Sequence, residues 1–498
     1  MTAHLGHSDA PLTVATVSGE LNNMWSSIVD FFTVANLFDR VADIAAGWVI
    51  VVTLLQLTMV VAAVVELRRL RQRDRHQMWR RVMTSPLAPR VSVLVPAYNE
   101  EITVTDTVQG LLALSYPNLE IVVINDGSPD RTIDVLVEAF DLRPIHPIYH
   151  RVIPHADVKT IYRSSREPRL VLVDKFNGGK ADSLNAGVNV ATGDLVCAID
   201  ADTLVAPDAL QQLVAPFIIR EGTVAVGGSV RLTNDSPVHG ARITKLVVPK
   251  KPLPALQAVE YMRAFIVGRL GWNPLGGNLI ISGAFGVFDR QAVLAAGGYE
   301  KSSIGEDMEL IVRLRRVGYE NREYARVEFL PDPVAWTEAP ESMKVLARQR
   351  NRWERGLMDV LLRHRRMILN YRYGTAGMLS MPFFFIVEFL SPIVEAMALL
   401  LLLAGLLAGL VDPGSLWVLG AAYGFGTAVT VLTLWFDDLA FHSYPKTRFR
   451  LKLAAYAAIE QIIYRQLTIA WRMWGIRLFL MGRTEWGQQV RKGFSTTP

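Results

Sequence analysis

Val91-Ser92-Val93-Leu94-Val95-Pro96-Ala97-Tyr98-Asn99-Glu100 is the stretch that orders the rest of the chain. Val91–Val95 is apolar but for Ser92, rich in β-branched residues, and stopped by a proline. That pattern reads as a short strand buried on both faces and closed by a turn. It returns at Leu119–Ile124, Leu170–Val173 and Leu195–Ile199, each followed by polar or glycine-rich residues. Helical periodicity fills the intervals, for example over Glu100–Leu112 and Gly179–Ala191. Strands alternating with helices imply βαβ units and an α/β fold with a mostly parallel sheet covered on both faces. Ligands bind such sheets at the carboxyl ends of the strands, so chemistry is expected just beyond each apolar run.

Outside this middle region the 498-residue chain changes character. Ile44–Val65 carries no charge and is long enough to cross a hydrocarbon core of roughly 30 Å. It starts too late, and lacks the small-residue cleavage site, to be a signal peptide. Met24–Phe38 before it is amphipathic and reads as interfacial. Arg68, Arg69, Arg71, Arg73, Arg75, Arg80 and Arg81 crowd the stretch behind the span. Such clusters stay on the cytoplasmic side and lie against anionic membrane lipids. Met378–Leu410 is apolar but interrupted by Pro382, Glu388, Pro392 and Glu395, so its first half reads as an interfacial or broken helix. The expected organisation is an N-terminal region 1–88 with one span at about 44–65, a cytosolic α/β domain at 89–365, and a C-terminal membrane region at 366–498. The last holds spans at about 386–410 and 416–435, and a stretch 452–480 that is either interfacial or a third span. The chain is then a multi-pass protein of the plasma or inner membrane, its middle domain cytoplasmic. The net charge of +5 is too small to argue for a nucleic-acid partner. A single cysteine, Cys197, excludes an intramolecular disulfide and reads as a packed strand residue.

Short polar stretches fall where the sheet rule places ligands. Pro96 and Tyr98 can wall a flat base and Glu100 can accept ribose hydroxyls, although a plain strand–turn–helix entry needs the same residues. Asp126, in Asn125-Asp126-Gly127-Ser128, can accept the imide N–H of a uracil or cap an Asx-type turn. In Asn177-Gly178-Gly179-Lys180, two glycines and a lysine at a helix start offer amides and a cation to a pyrophosphate. Asp200 and Asp202, one residue apart at the end of a buried strand, can both reach a hard divalent cation such as Mg²⁺ or Mn²⁺. Glu306 and Asp307 open an amphipathic helix, where carboxylates either offset the helix dipole or act as a general base. Gln349, Arg352 and Trp353 share one helical face, suited to a sugar ring and a diphosphate or to a core aromatic among solvated arginines. The run from Gly276-Gly277-Asn278 to Ser282-Gly283-Ala284-Phe285-Gly286 lets backbone approach a ligand or simply packs closely.

Taken in order, VPAYNE, DGS, GGKA, DAD, GAF, ED and QRNRW resemble the family 2 glycosyltransferases. The likeness is to their membrane-bound processive branch, the synthases of cellulose, chitin, hyaluronan and poly-N-acetylglucosamine. The resemblance covers Val91 to about Gly356. It implies a GT-A nucleotide-sugar domain, a UDP-linked glucose or N-acetylglucosamine donor, and an inverting transfer that elongates a β-linked polysaccharide. Asp126, Lys180 and Asp200 then contact the nucleotide-sugar, with Pro96, Tyr98 and Glu100 around it. Asp200 and Asp202 hold Mg²⁺ or Mn²⁺, Asp307 is the base with Glu306 beside it, and Gln349, Arg352 and Trp353 hold acceptor and diphosphate with Gly283, Ala284 and Phe285. Asn125 departs from the aspartate that often precedes Asp126. The C-terminal spans would form an exit for the product, with export or accessory partners. An enzyme of the same fold adding one sugar to a lipid acceptor, of the ceramide or polyprenyl-phosphate type, is the alternative. A non-catalytic scaffold or transporter predicts damaged motifs, and these are intact.

Overall fold

The computed structural model describes residues 34–72, 85, 88–146, 148–201, 203–239, 242–243, 245–409, 411, 413–441 and 447–483. Asp202, Arg73, Arg75, Arg80 and Arg81 lie outside the described residues, as do residues 24–33 of the expected interfacial segment.

The strands are β1 (Val91–Ala97), β2 (Leu119–Asn125), β3 (Leu142–Ile145), β4 (Val158–Ser164), β5 (Leu170–Lys175), β6 (Leu195–Ile199), β7 (Leu204–Val205), β8 (Thr223–Leu232), β9 (Val238–His239), β10 (Arg242–Ile243), β11 (Phe285–Asp289) and β12 (Arg326–Thr337). Ten of them form one sheet in the order β3-β4-β5-β2-β1-β6-β11-β8-β12-β7, and β9 and β10 pair separately. Its centre, β5-β2-β1-β6, is parallel, as the apolar runs predict. Outside that centre β3, β4 and β11 add antiparallel, so the whole sheet is mixed. The antiparallel edge at β3 and β4 mixes buried, half-buried and exposed residues, a pattern not separable from a loop in the sequence.

Successive residues of a strand point to opposite faces. Val93, Val95, Ile121, Val123 and Cys197 therefore pack into one core with the helices Val104–Leu112, Thr132–Phe140 and Ala209–Ile219. Leu94, Val122, Ile124, Val196 and Ala198 pack into a second core with the helices Lys180–Val190 and Glu306–Asn321. Each fully buried Val, Leu or Ile contributes about 1.5–3 kcal/mol of transfer free energy, so both layers hold the sheet. The parallel register sets Ala97 beside Asn125 and Asn125 beside Asp174, which brings the turns after β1, β2 and β5 to one edge.

The helices Asp43–Leu70, Ala376–Ala408 and Leu416–Phe441 are long and apolar enough to cross a membrane, with mean hydropathies of 2.5, 2.2 and 1.5. Residues 376–389 run through two π-helical turns around Pro382. That is the interruption expected where proline removes a backbone donor. A third π turn, Glu460–Tyr464, joins the helices Thr447–Ile459 and Arg465–Leu480. The chain divides into two compact units. The larger, residues 53–393 and 423–498, contains the sheet; the smaller comprises residues 1–52 and 394–422 and is helical over 34–52, 394–408 and 413–422.

Candidate active site

At the end of β2, Asp126 is buried, and its carboxylate accepts the backbone N–H of Gly178 at 2.9 Å and of Gly179 at 2.8 Å. The glycine amides thus face the aspartate, where the sequence suggests a pyrophosphate. Gly127 turns the chain at φ 69°, and a Cβ there would meet Asn177 N at 2.8 Å, so only glycine allows the two loops this approach. Lys175, fully buried at the end of β5, pairs with Asp126 at 2.5 Å and Asp182 at 2.8 Å. Lys301 also pairs with Asp182. Burial pushes the Asp182 carboxyl up, but the bonds from Lys175 and Lys301 outweigh it and hold it below its ordinary range. Asn99 N donates to Ser128 Oγ at 3.1 Å, joining the turns after β1 and β2. Tyr98 is half exposed beside them, Pro96 lies within β1, and Glu100 turns its carboxylate to Thr103 Oγ1 at 2.7 Å.

β6 and β11 pair so that Phe285 faces Ile199, and Asp200 N donates to Ala284 O at 3.4 Å. Lys180, in the first turn of its helix, reaches Asp200 at 2.8 Å and Glu306 at 4.0 Å. Burial works against the lysine's charge, but Asp200, Asp307 and Glu306 together raise its pKa above the ordinary value. Asp307 sits in the first turn of Glu306–Asn321, behind the N-cap Gly305. A Cβ on Gly283 would overlap the Asp307 carboxylate at 1.8 Å from Oδ2, so this glycine makes the space in which the carboxylate lies. Burial, then the neighbouring Asp307 charge, pushes Glu306 up to about 7. Asp307 is raised by burial too, with Lys180 and Arg352 pulling it back. Three carboxylates and one ammonium therefore share a small volume. Their oxygen donors suit a hard divalent cation. Among the described residues no three His, Cys, Asp or Glu side chains converge as closely as a metal ion requires.

The helix Met343–Arg363 brings the QRNRW residues to the same region through Arg352, whose charge acts on both Glu306 and Asp307. Gly356, one turn beyond, meets Gly305 closely: a Cβ on Gly356 would lie 3.0 Å from Gly305 Cα. Gln349 Oε1 is buried without a hydrogen-bond partner among the described residues, and Trp353 keeps 43% of its surface exposed. Arg350 lies beneath that indole, its Cζ 4.2 Å from the ring centroid.

Sequence reasoning passed over Lys175, Asp182, Glu260, Arg350 and Tyr464. Lys175 carried a usable signal, because a lysine closing a fully buried strand must find a carboxylate. Tyr464 and Glu260 carried none, since they meet Arg350 only through the packing of segments far apart in sequence.

A family model described as "Glycosyltransferase like family 2" matches residues 89–356. A probable glycosyltransferase, YdaM, of Bacillus subtilis (strain 168) is 29% identical over 287 residues, covering 57% of this chain and 59% of that protein. A poly-beta-1,6-N-acetyl-D-glucosamine synthase of Staphylococcus aureus (strain COL) is 30% identical over 274 residues, 55% of this chain and 56% of that protein. The chain thus spans less than two thirds of the length of these curated relatives. Among solved structures, the mannosyltransferase PcManGT from Pyrobaculum calidifontis, in complex with GDP-Man and Mn²⁺, aligns with a TM-score of 0.49 and 19% identity, covering 84% of this chain and 99% of that one.

Proposed function

This chain belongs to family 2 of the glycosyltransferases, and on that footing we propose that it moves a sugar from a nucleotide-sugar, with inversion, onto a growing β-linked polysaccharide at the cytoplasmic membrane face. The donor is UDP-linked glucose or N-acetylglucosamine, and the apolar helices hold the enzyme in the cell membrane and lead the product outward. The observation that carries the reading is the placement of Asp307. It stands at a helix start, in the space left by Gly283, within electrostatic reach of Lys180, Asp200 and Arg352.

Asp307 takes the proton from an acceptor hydroxyl, whose oxygen attacks the anomeric carbon. The bond from that carbon to the diphosphate oxygen breaks, and the nucleoside diphosphate leaves with the electron pair. Asp126, positioned by Lys175 and the glycine amides, lies on the base side with Pro96, Tyr98 and Glu100. Lys180 and Arg352 bring positive charge to the diphosphate, which carries the charge that develops as the bond breaks. Asp200 and Asp202 would hold Mg²⁺ or Mn²⁺, and such an ion, when bound, neutralises the departing diphosphate. Glu306, raised to about 7 by burial and by the Asp307 charge, stands beside the base. Gln349 and the exposed face of Trp353 receive the acceptor sugar, with Gly283, Ala284 and Phe285 forming the adjoining wall.

Isolated membranes offered radiolabelled UDP-glucose, UDP-N-acetylglucosamine, UDP-glucuronate and GDP-mannose test the reading. A ladder of products from one UDP-sugar, lost on chelation, is expected. A single addition to a lipid would replace the polymer by a lipid acceptor, and absence of transfer from all four would contradict the assignment.

A further inference from the structure

Trp353 meets both the Tyr261 ring, with centroids 6.4 Å apart, and a guanidinium. The guanidinium beneath its ring belongs to Arg350, one helical turn earlier and only 4% exposed. Arg350 Nη2 donates to Glu260 Oε2 at 2.6 Å and to the Tyr464 hydroxyl at 3.2 Å. The Tyr464 hydroxyl in turn donates to Glu260 Oε2 at 2.9 Å, closing a triangle. Glu260 lies on the helix Pro252–Ile266 and Tyr464 in the π turn Glu460–Tyr464. A second ion pair, Arg263 to Glu460 at 2.7 Å, ties the same two elements one turn away. A buried guanidinium costs heavily without a carboxylate, and here both bonds leave from one nitrogen, Nη2, which anchors that end of the group at Glu260 and Tyr464. The direction of those bonds therefore sets the surface on which the indole lies.

We propose that Arg350 is the positioning residue for the Trp353 platform, and that Tyr464, through Glu260, makes the platform's pose depend on the C-terminal helices. This rests on the reading of Trp353 as the acceptor platform. Elongation then requires the C-terminal helices in place, whereas attack of water on the bound donor does not.

The test compares sugar transfer with donor hydrolysis in the full-length protein. Tyr464→Phe removes one hydroxyl and empties no core. It is expected to raise the apparent acceptor KM and shorten products by roughly threefold to tenfold, the effect of one lost hydrogen bond. Donor hydrolysis should stay within about twofold, a spread well below that of a lost hydrogen bond. Arg350→Lys, which keeps the charge but not the plane, should act in the same direction. In the Trp353→Ala background, Tyr464→Phe should cost transfer nothing further, as coupled residues do. Equal loss of transfer and hydrolysis in Tyr464→Phe, no effect on either, or an additive loss on top of Trp353→Ala would overturn the proposal. If Trp353→Ala itself lowered both activities equally, the platform reading would fall instead.

Discussion

Two adjacent carboxylates at one helix start cannot both ionise cheaply, and the chain uses the inequality between them. Glu306 is 5% exposed, and burial first, then the Asp307 charge, lifts it from 4.5 to about 7. A carboxyl whose folded pKa is raised favours the fold most below its unfolded value, and that contribution is lost as pH rises through the folded value. Glu306→Gln should therefore melt at higher temperature than the wild type above about pH 7 and converge with it below about pH 4.5. Melting of the detergent-solubilised protein across that range checks this, and a difference independent of pH would contradict it. The placement of Asp200 at a strand end and of Glu306 and Asp307 at a helix start was legible in the sequence, because each follows an apolar run or opens an amphipathic one. The loop partners of Asp126 were not. The glycines before Lys180 suggest a free anion nest, and only the fold reveals that a carboxylate from the neighbouring strand already faces them.

At the scale of elements, the site depends on how closely two helices cross. Gly305 and Gly356 meet backbone to backbone, and this contact sets the turn bearing Asp307 against the helix bearing Arg352 and Trp353. Gly356→Leu would wedge them apart, at about 1–3 kcal/mol of overpacking. The expected result is a lower melting temperature and loss of transfer, with Gly356→Ala intermediate. Wild-type behaviour of Gly356→Leu would mean that the crossing is looser than described. The sequence anticipated β1, β2, β5 and β6 nearly to the residue, since a buried parallel strand is a compact apolar run between turns. It missed β4, a half-exposed edge of weak periodicity, and the antiparallel entry of β11, a five-residue run directly behind glycine-rich residues. The interruption around Pro382 was legible from that proline, whereas the π form of the turns, and the turn at Glu460–Tyr464, were not.

The molecule combines a sheet covered on both faces with helices of which three, among the described residues, are long and apolar enough to cross a membrane. Charge placement predicts which side the sheet faces. Cys197 is fully buried, and burial pushes its thiol pKa up, so a cysteine added at the exposed Ile148 gives a clean label. Ile148→Cys should react with an impermeant maleimide only after cells are permeabilised; reaction in intact cells would reverse the orientation. The central claim is that this chain transfers sugar with Asp307 as the base, and one measurement meets it directly. Purified full-length protein is supplied with the UDP-sugar it uses, and incorporation and UDP binding are followed for wild type and Asp307→Asn. The account predicts transfer lower by about 10²–10⁴-fold, the usual loss for a general base, with UDP still bound. Turnover of Asp307→Asn near the wild-type rate would contradict it.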